Sequence, residues 1–107
     1  MNCELQKMCD WERKKAIYLL NVAENYLNMD TSGYGELSVN QNSGYTYLWL
    51  EDYNFTLFMP INCKLQINDV YVLYSDLDTG IETENSLNEF NNINEIYKWI
   101  DSINEKN

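Results

Sequence analysis

The chain has 107 residues, which is the size of one domain, and it combines an ordinary apolar content of 45% with a net charge of -10. Aromatic residues make up 14% of the sequence, which argues against intrinsic disorder because disordered chains combine high charge with few aromatic rings. Histidine is absent. This excludes Ser-His and Cys-His nucleophile pairs, imidazole-ligated zinc and a near-neutral imidazole base.

A helix is predicted over residues 3–29, because apolar residues recur there at three- and four-residue steps. Asn2 is placed to cap its start. The basic cluster at residues 13–15 is expected on the solvent-exposed surface of this helix, paired with Glu12 and neighbouring acids. Residues 30–35 are expected to end the helix and turn the chain.

The middle of the chain has the alternation and the turn residues of an antiparallel sheet. In the second predicted strand, Tyr45, Tyr47 and Trp49 fall on one face, and we expect this aromatic row to be partly exposed. The opposite face of the same strand, from Thr46 to Leu50, is more core-like. Strands are predicted over residues 36–40, 45–51, 55–59, 65–74 (with a break at Asn68-Asp69) and 81–84.

A short turn at residues 86–90 and a helix from about Ile93 complete the predicted elements. The element order predicts a single α+β domain over residues 1–107. An antiparallel β-sheet of four to five strands is flanked by a long N-terminal helix and a C-terminal helix. One face of such a sheet is covered by the helices and the other faces water.

The sequence has no basic start followed by an apolar run, and no apolar stretch long enough to span a bilayer. We therefore expect a cytoplasmic protein without membrane contacts. The three cysteines, Cys3, Cys9 and Cys63, form no CxxC pair and are expected to be free thiols.

Charge is distributed unevenly along the chain. Between Ala16 and Tyr97 there are twelve carboxylates and one basic residue, Lys64. Asn is abundant, with 16 residues, whereas Lys is scarce, with 6, although an AT-rich coding sequence would enrich both. Positive charge is therefore excluded from the middle of the chain rather than diluted. This bias repels nucleic acid, so no direct nucleic-acid binding is expected, and it attracts basic protein surfaces.

The predicted hairpin after the fourth strand concentrates this acidity. Asp76 with Asp78, and Glu82 with Glu84, are expected to form pairs about 7 Å apart on extended strands. Carboxylates at this pitch resemble the phosphates of a nucleic-acid strand. The alternative is that these residues only keep a small domain soluble. The predicted partner-binding residues are Asp76, Asp78, Glu82, Glu84, Glu51, Asp52, Asp69, Glu89, Tyr45, Tyr47 and Trp49.

Two short patterns in the same hairpin suggest other chemistry. Asp78-Thr79-Gly80 matches the aspartic protease triplet, but the later apolar-apolar-Gly segment of those enzymes is missing, so a tight turn is favoured. Asp76 to Gly80 begins like a calcium loop, but Ile81 occupies the EF-hand glycine position. We predict no catalytic residue, metal or cofactor. A small enzyme using carboxylates, with or without a metal, is the alternative class.

In size and character the chain resembles the anti-CRISPR proteins, small acidic inhibitors that phages and other mobile elements use against host nucleases. The acid-rich, Lys-poor stretch from Ala16 to Tyr97, the helix–sheet–helix order and the Asn/Tyr/Ile-rich usage carry this resemblance. It implies a non-enzymatic inhibitor whose acidic, DNA-mimicking face binds a CRISPR effector nuclease and blocks DNA binding. The chain also looks like the acidic immunity proteins that neutralise nuclease toxins.

Overall fold

The computed structural model describes residues 9–32, 35–40, 44–76 and 78–106. Within them the sheet and the helices form the α+β fold that the sequence predicted, so that prediction is confirmed. Short 3₁₀ helices lie at Ile67–Asp69 and Leu87–Glu89. The main elements are α1 (Asp10–Asn25), β1 (Gly35–Val39), β2 (Thr46–Leu50), β3 (Thr56–Met59), β4 (Tyr71–Ser75), β5 (Glu82–Ser86) and α2 (Ile93–Lys106).

The five strands form an antiparallel meander in which each strand pairs with the next along the chain. Consequently the β2–β3 turn and the β4–β5 turn lie at the same end of the sheet. The register aligns side chains in rows across the strands. Two rows share one face: Ser38, Tyr47, Phe58, Tyr71 and Ser86, and next to it Glu36, Trp49, Thr56, Leu73 and Glu84.

The hydrophobic core lies between the other face of the sheet and the two helices. Its central row is Leu37, Leu48, Leu57 and Val72, whose exposed fractions are 0%, 2%, 1% and 0%. Apolar burial of this kind is the main stabilising term of the fold. The two described α-helices pack on this face, and neither packs on the opposite face, which we call the open face. The helical residues of the core include Ala16, Leu19, Val22, Ala23, Ile96 and Ile100.

The predicted N-terminal helix is interrupted at Cys9, and residues 3–8 of the prediction lie outside the described residues. A single helix over residues 3–29 is wrong, because Cys9 has an extended backbone, with φ -68° and ψ 166°, and α1 begins only after it. The Glu12 carboxylate accepts a hydrogen bond from the Cys9 N–H at 3.4 Å, which satisfies one of the N-terminal backbone groups. At the other end, Asn28 has a left-handed φ of 54° that stops the helix. The predicted cap, Asn2, lies outside the described residues.

The strand predicted over residues 65–74 forms only in its second half. The 3₁₀ helix Ile67–Asp69 replaces the first half, so the predicted break is present but no strand precedes it. The reason is a local turn around the Asp69 carboxylate, which accepts hydrogen bonds from the backbone N–H groups of Lys64 at 2.8 Å and Gln66 at 3.1 Å. Such side-chain acceptors compete with strand pairing.

Neither described helix has the length and apolar character that a bilayer span requires.

Candidate partner-binding face

The open face of the sheet carries a cluster of four aromatic side chains, which we call the aromatic cluster: Tyr45, Tyr47, Phe58 and Tyr71. The Phe58 ring stacks on Tyr71 with centroids 5.3 Å apart, and its centroid lies 6.0 Å from that of Tyr47. Tyr45 meets Phe58 edge to face at 5.5 Å. Phe58 is 6% exposed, and the rings of Tyr45, Tyr47 and Tyr71 pack against it.

Next to the aromatic cluster the open face contains a groove. Trp49 on β2 and Leu73 on β4 stand on either side of the small Thr56 on β3, according to the strand register. The space between them, about 610 Å³, extends to Ser75 and Glu82. We call it the open-face groove. It has an indole wall, an aliphatic wall and a carboxylate at one end.

The rim of the open face is acidic. Glu36 on edge strand β1 and Glu82 and Glu84 on edge strand β5 form this acidic rim. No side chain that the strand register places on this face is Lys or Arg. Charged edge strands also hinder edge-to-edge pairing of sheets, so the rim alone does not indicate a partner. A candidate partner-binding surface is indicated only by the combination of this rim with the aromatic cluster, in which Tyr45 is exposed and Tyr47 and Tyr71 are half-buried.

Several of the predicted partner-binding residues meet on this face. Tyr45 is 36% exposed, and Tyr47 and Trp49 are half-buried, as expected for the aromatic row. The opposite side of β2, from Thr46 to Leu50, supplies the core. Glu82 and Glu84 share the open face on β5, as the alternation predicted.

Three further predicted carboxylates lie at one end of the sheet. Glu51 and Asp52 occupy the β2–β3 turn, and Asp78 occupies the β4–β5 turn; all three are exposed. The groove opens toward this end, since Asn54 and Ser75 line it. These turns therefore extend the acidic character of the rim around the end of the groove.

Asp76 has a different environment from the one predicted. It is 9% exposed, and its Oδ1 atom accepts the backbone N–H groups of Asp78 at 2.8 Å and Thr79 at 3.3 Å. β4 ends at Ser75, so the expected Asp76–Asp78 pair on an extended strand is wrong. Asp76 instead folds the turn, in the manner common for Asp in tight turns. Gly80 completes the turn with a φ of 73°.

This turn geometry also bears on the calcium-loop and protease patterns. Asp76 Oδ1 accepts hydrogen bonds from the backbone of the turn. A calcium loop would instead use such a carboxylate oxygen as a ligand of the cation. Among the described residues, no three His, Cys, Asp or Glu side chains converge to hold a metal ion. Asp78 lies exposed at the tip of the turn.

Asp69 and Glu89 lie away from the groove. They belong to the two 3₁₀ helices before β4 and after β5, at the end of the sheet opposite the β4–β5 turn. The Asn88 amide donates a hydrogen bond to the Asn68 side-chain oxygen at 2.7 Å and joins these two segments. The structure therefore does not bring Asp69 and Glu89 to the same place as the acidic rim.

The basic cluster at residues 13–15 divides into two environments. Arg13 pairs with Asp10 at 3.2 Å on the helix surface, as helix-surface pairing predicted. The same expectation is wrong for Lys15, which is 0% exposed and donates a hydrogen bond from Nζ to the Gly44 carbonyl at 2.9 Å. Lys15 lies on the stripe of α1 that packs on the sheet, next to Ala16. Its charge is thereby withdrawn from the surface.

The described groups with shifted pKa values lie outside the groove. Burial raises the pKa of Tyr97, and the nearby Tyr53 adds to the rise. Burial also raises the pKa of Tyr18, with smaller contributions from Asp69 and Cys63. Hydrogen bonds from the hydroxyl and the backbone N–H of Ser32 lower the pKa of Asp30.

Sequence reasoning missed residues of the open face on strands other than β2. Thr56, Phe58, Tyr71, Leu73 and Glu36 lie beside the predicted aromatic row because of the strand register. Alternation within each strand indicates which residues share a face. It does not indicate which residues of neighbouring strands become adjacent.

No protein-family model, curated protein or solved structure matches the chain. The functional proposal therefore rests on the chemistry of the open face.

Proposed function

We propose that the chain is a non-enzymatic inhibitor that binds the basic nucleic-acid-binding surface of a CRISPR effector nuclease and blocks DNA binding. The observation that supports this proposal is the open face, where an aromatic cluster and a groove lie inside an acidic rim without a Lys or Arg side chain among its strand residues.

The aromatic part of the face supports a protein partner. Tyr and Trp are enriched at protein interfaces because they bury large apolar areas at low entropic cost and keep a polar group at the edge. Phe58 already holds Tyr45, Tyr47 and Tyr71 in one layer. A preassembled surface loses little conformational freedom on binding. The need for solubility explains charge on the surface, but it does not explain an aromatic layer on a sheet face on which neither described α-helix packs.

The acidic part of the face supports a basic partner. Glu82 and Glu84, two residues apart on β5, have side chains about 7 Å apart in an extended strand. Asp78 and the β2–β3 turn continue the negative charge around the end of the sheet. A surface of this kind attracts a Lys/Arg channel over long range and competes there with nucleic acid.

The groove supports a binding role more than catalysis. Carboxylate enzymes without metals use a pair of acids around the reacting atom. Among the described residues that line the groove, Glu82 is the carboxylate, and the others are aromatic, aliphatic, hydroxyl or amide side chains.

The proposal is tested by DNA cleavage assays with a panel of purified CRISPR effector nucleases and nuclease toxins. The wild-type protein is expected to inhibit an effector nuclease, and less strongly as salt rises from about 50 to 300 mM. The double variant Glu82→Gln/Glu84→Gln should inhibit about tenfold less, a loss of about 1.4 kcal/mol. The matched control Asp101→Asn/Glu105→Gln changes net charge equally at exposed residues of α2 and should inhibit like the wild type.

Three outcomes would contradict the proposal. Absence of inhibition for every effector nuclease would refute it, and inhibition of a nuclease toxin alone would assign the immunity function instead. Equal losses for the rim variant and the control would show that only overall net charge matters, and that the open face is not the contact.

A further inference from the structure

We propose that the open-face groove binds an arginine side chain carried by the protein partner. This inference deepens the proposed function and rests on it for the class of partner. The groove lies within the same surface as the aromatic cluster and has the walls and the charge of a subsite for a cationic side chain.

The walls of the groove match the two parts of an arginine side chain. Trp49 lines the groove, and a guanidinium stacks favourably on an indole ring. Leu73, on the other side of Thr56, offers an aliphatic surface for the methylene stem of the arginine. Thr56 leaves room between them because it is small. A larger residue at this register position would fill the groove.

The charge of the groove matches a cation. Glu82 lines it, and Glu84 lies on the same face of β5, directly across from Leu73 in the register. A carboxylate accepts two parallel hydrogen bonds from a guanidinium. A lysine ammonium makes neither this paired contact nor the planar stacking, so arginine is favoured over lysine. No basic side chain on the strands of this face competes for the carboxylates.

The surroundings of the groove favour an arginine within a protein over the free amino acid. Tyr47, Phe58 and Tyr71 are the residues two positions from Trp49, Thr56 and Leu73 on the same three strands, so the aromatic cluster continues the groove. A protein that inserts an arginine would lay its neighbouring side chains on this cluster.

The test is a nuclear magnetic resonance titration of the ¹⁵N-labelled protein with N-acetyl-arginine-N-methylamide. The expected result is a saturable shift of the Trp49 indole N–H signal and of the backbone signals of Leu73 and Glu82. The same titration with the citrulline derivative, which is neutral but of similar shape, should give affinity at least about tenfold lower, because the charge-assisted contact is lost.

Variants locate the binding. Glu82→Gln keeps the shape of the groove and should weaken binding of the capped arginine about tenfold, and Trp49→Leu should do the same. Trp11→Leu is the matched control, since Trp11 is 38% exposed on α1, outside the strands of the open face, and should leave the affinity unchanged. If Trp49→Leu fails to fold, Glu82→Gln carries the test, because it alters an exposed edge-strand side chain.

Three results would overturn this inference. They are equal binding of the arginine and citrulline derivatives, signal shifts confined to the helices, and unaltered affinity for the capped arginine in Glu82→Gln. Its failure is distinguishable from failure of the proposed function. Arginine binding without inhibition of any nuclease leaves the groove assignment standing and refutes the inhibitor role. Inhibition that Trp49→Leu and Glu82→Gln leave intact, with no arginine binding, refutes the groove assignment alone.

Discussion

Replacement of Phe58 by alanine tests whether the aromatic cluster is a packed structure or a set of loose surface side chains. An aromatic residue on an uncovered sheet face would ordinarily be replaced at small cost. Phe58 is 6% exposed, however, and packs against three rings at centroid distances of 5.3, 5.5 and 6.0 Å. Removal of a buried phenyl ring costs about 3–5 kcal/mol in protein cores. Because the layer can partly collapse onto the gap from the solvent side, we expect a loss near the lower limit, about 3 kcal/mol.

The assay is urea unfolding followed by far-ultraviolet circular dichroism. With a slope of about 1–1.5 kcal/mol per molar urea, the expected loss moves the midpoint down by about 2–3 M. The control is Thr56→Ala, on the same face of the same strand, for which we expect a loss below about 1 kcal/mol. A loss below about 1 kcal/mol for Phe58→Ala would refute the reasoning, because it would mean that the ring is not buried by its neighbours.

Three further predictions concern Gly44, the turn residue Asp76 and the pH dependence of stability that Tyr97 causes. Gly44→Ala should destabilise the protein by about 2 kcal/mol, because Gly44 has a φ of 74° and the new Cβ would lie 2.7–2.8 Å from Ile61 side-chain atoms; an unchanged urea midpoint would contradict this. Asp76→Ala should cost about 1–2 kcal/mol through loss of its turn hydrogen bonds, whereas Asp78→Ala should cost little, and equal thermal shifts would contradict the turn role. Since burial raises the pKa of Tyr97 in the folded state, its contribution to stability is fully present below the unfolded pKa near 10 and is lost as pH rises through the folded pKa. The melting temperature of Tyr97→Phe should therefore fall less than that of the wild type above about pH 10, and parallel curves would contradict the shift.

The sequence was sufficient to predict the element order because each element has a strong local pattern. Alternation along β2 placed Trp49 and Leu48 on opposite faces of the sheet. The apolar stripe of α2 identified the last helix. The errors have local physical causes. Cys9 sits at a helix start that periodicity does not show, and the Asp69 and Asp76 carboxylates bond to nearby backbone N–H groups and form turns.

The candidate site was predicted less completely than the fold. The aromatic row and the β5 carboxylates come from alternation within single strands. The groove depends on the placement of Thr56 between Trp49 and Leu73, which only the register between strands determines. The burial of Lys15 likewise depends on tertiary packing, because a basic residue within a charged cluster has the local pattern of a surface position.

Hydroxyl-radical footprinting tests most directly whether the open face is the partner-binding surface. The measurement compares side-chain oxidation rates in the free protein and in its complex with a nuclease identified as its target by the cleavage assay. Tyr45 on the open face is 36% exposed and Trp11 on α1 is 38% exposed, so they form a matched pair. Binding through the open face predicts that oxidation of Tyr45 and Trp49 slows severalfold while Trp11 keeps its rate. Protection of Trp11 with unchanged oxidation of Tyr45 and Trp49 would contradict that placement.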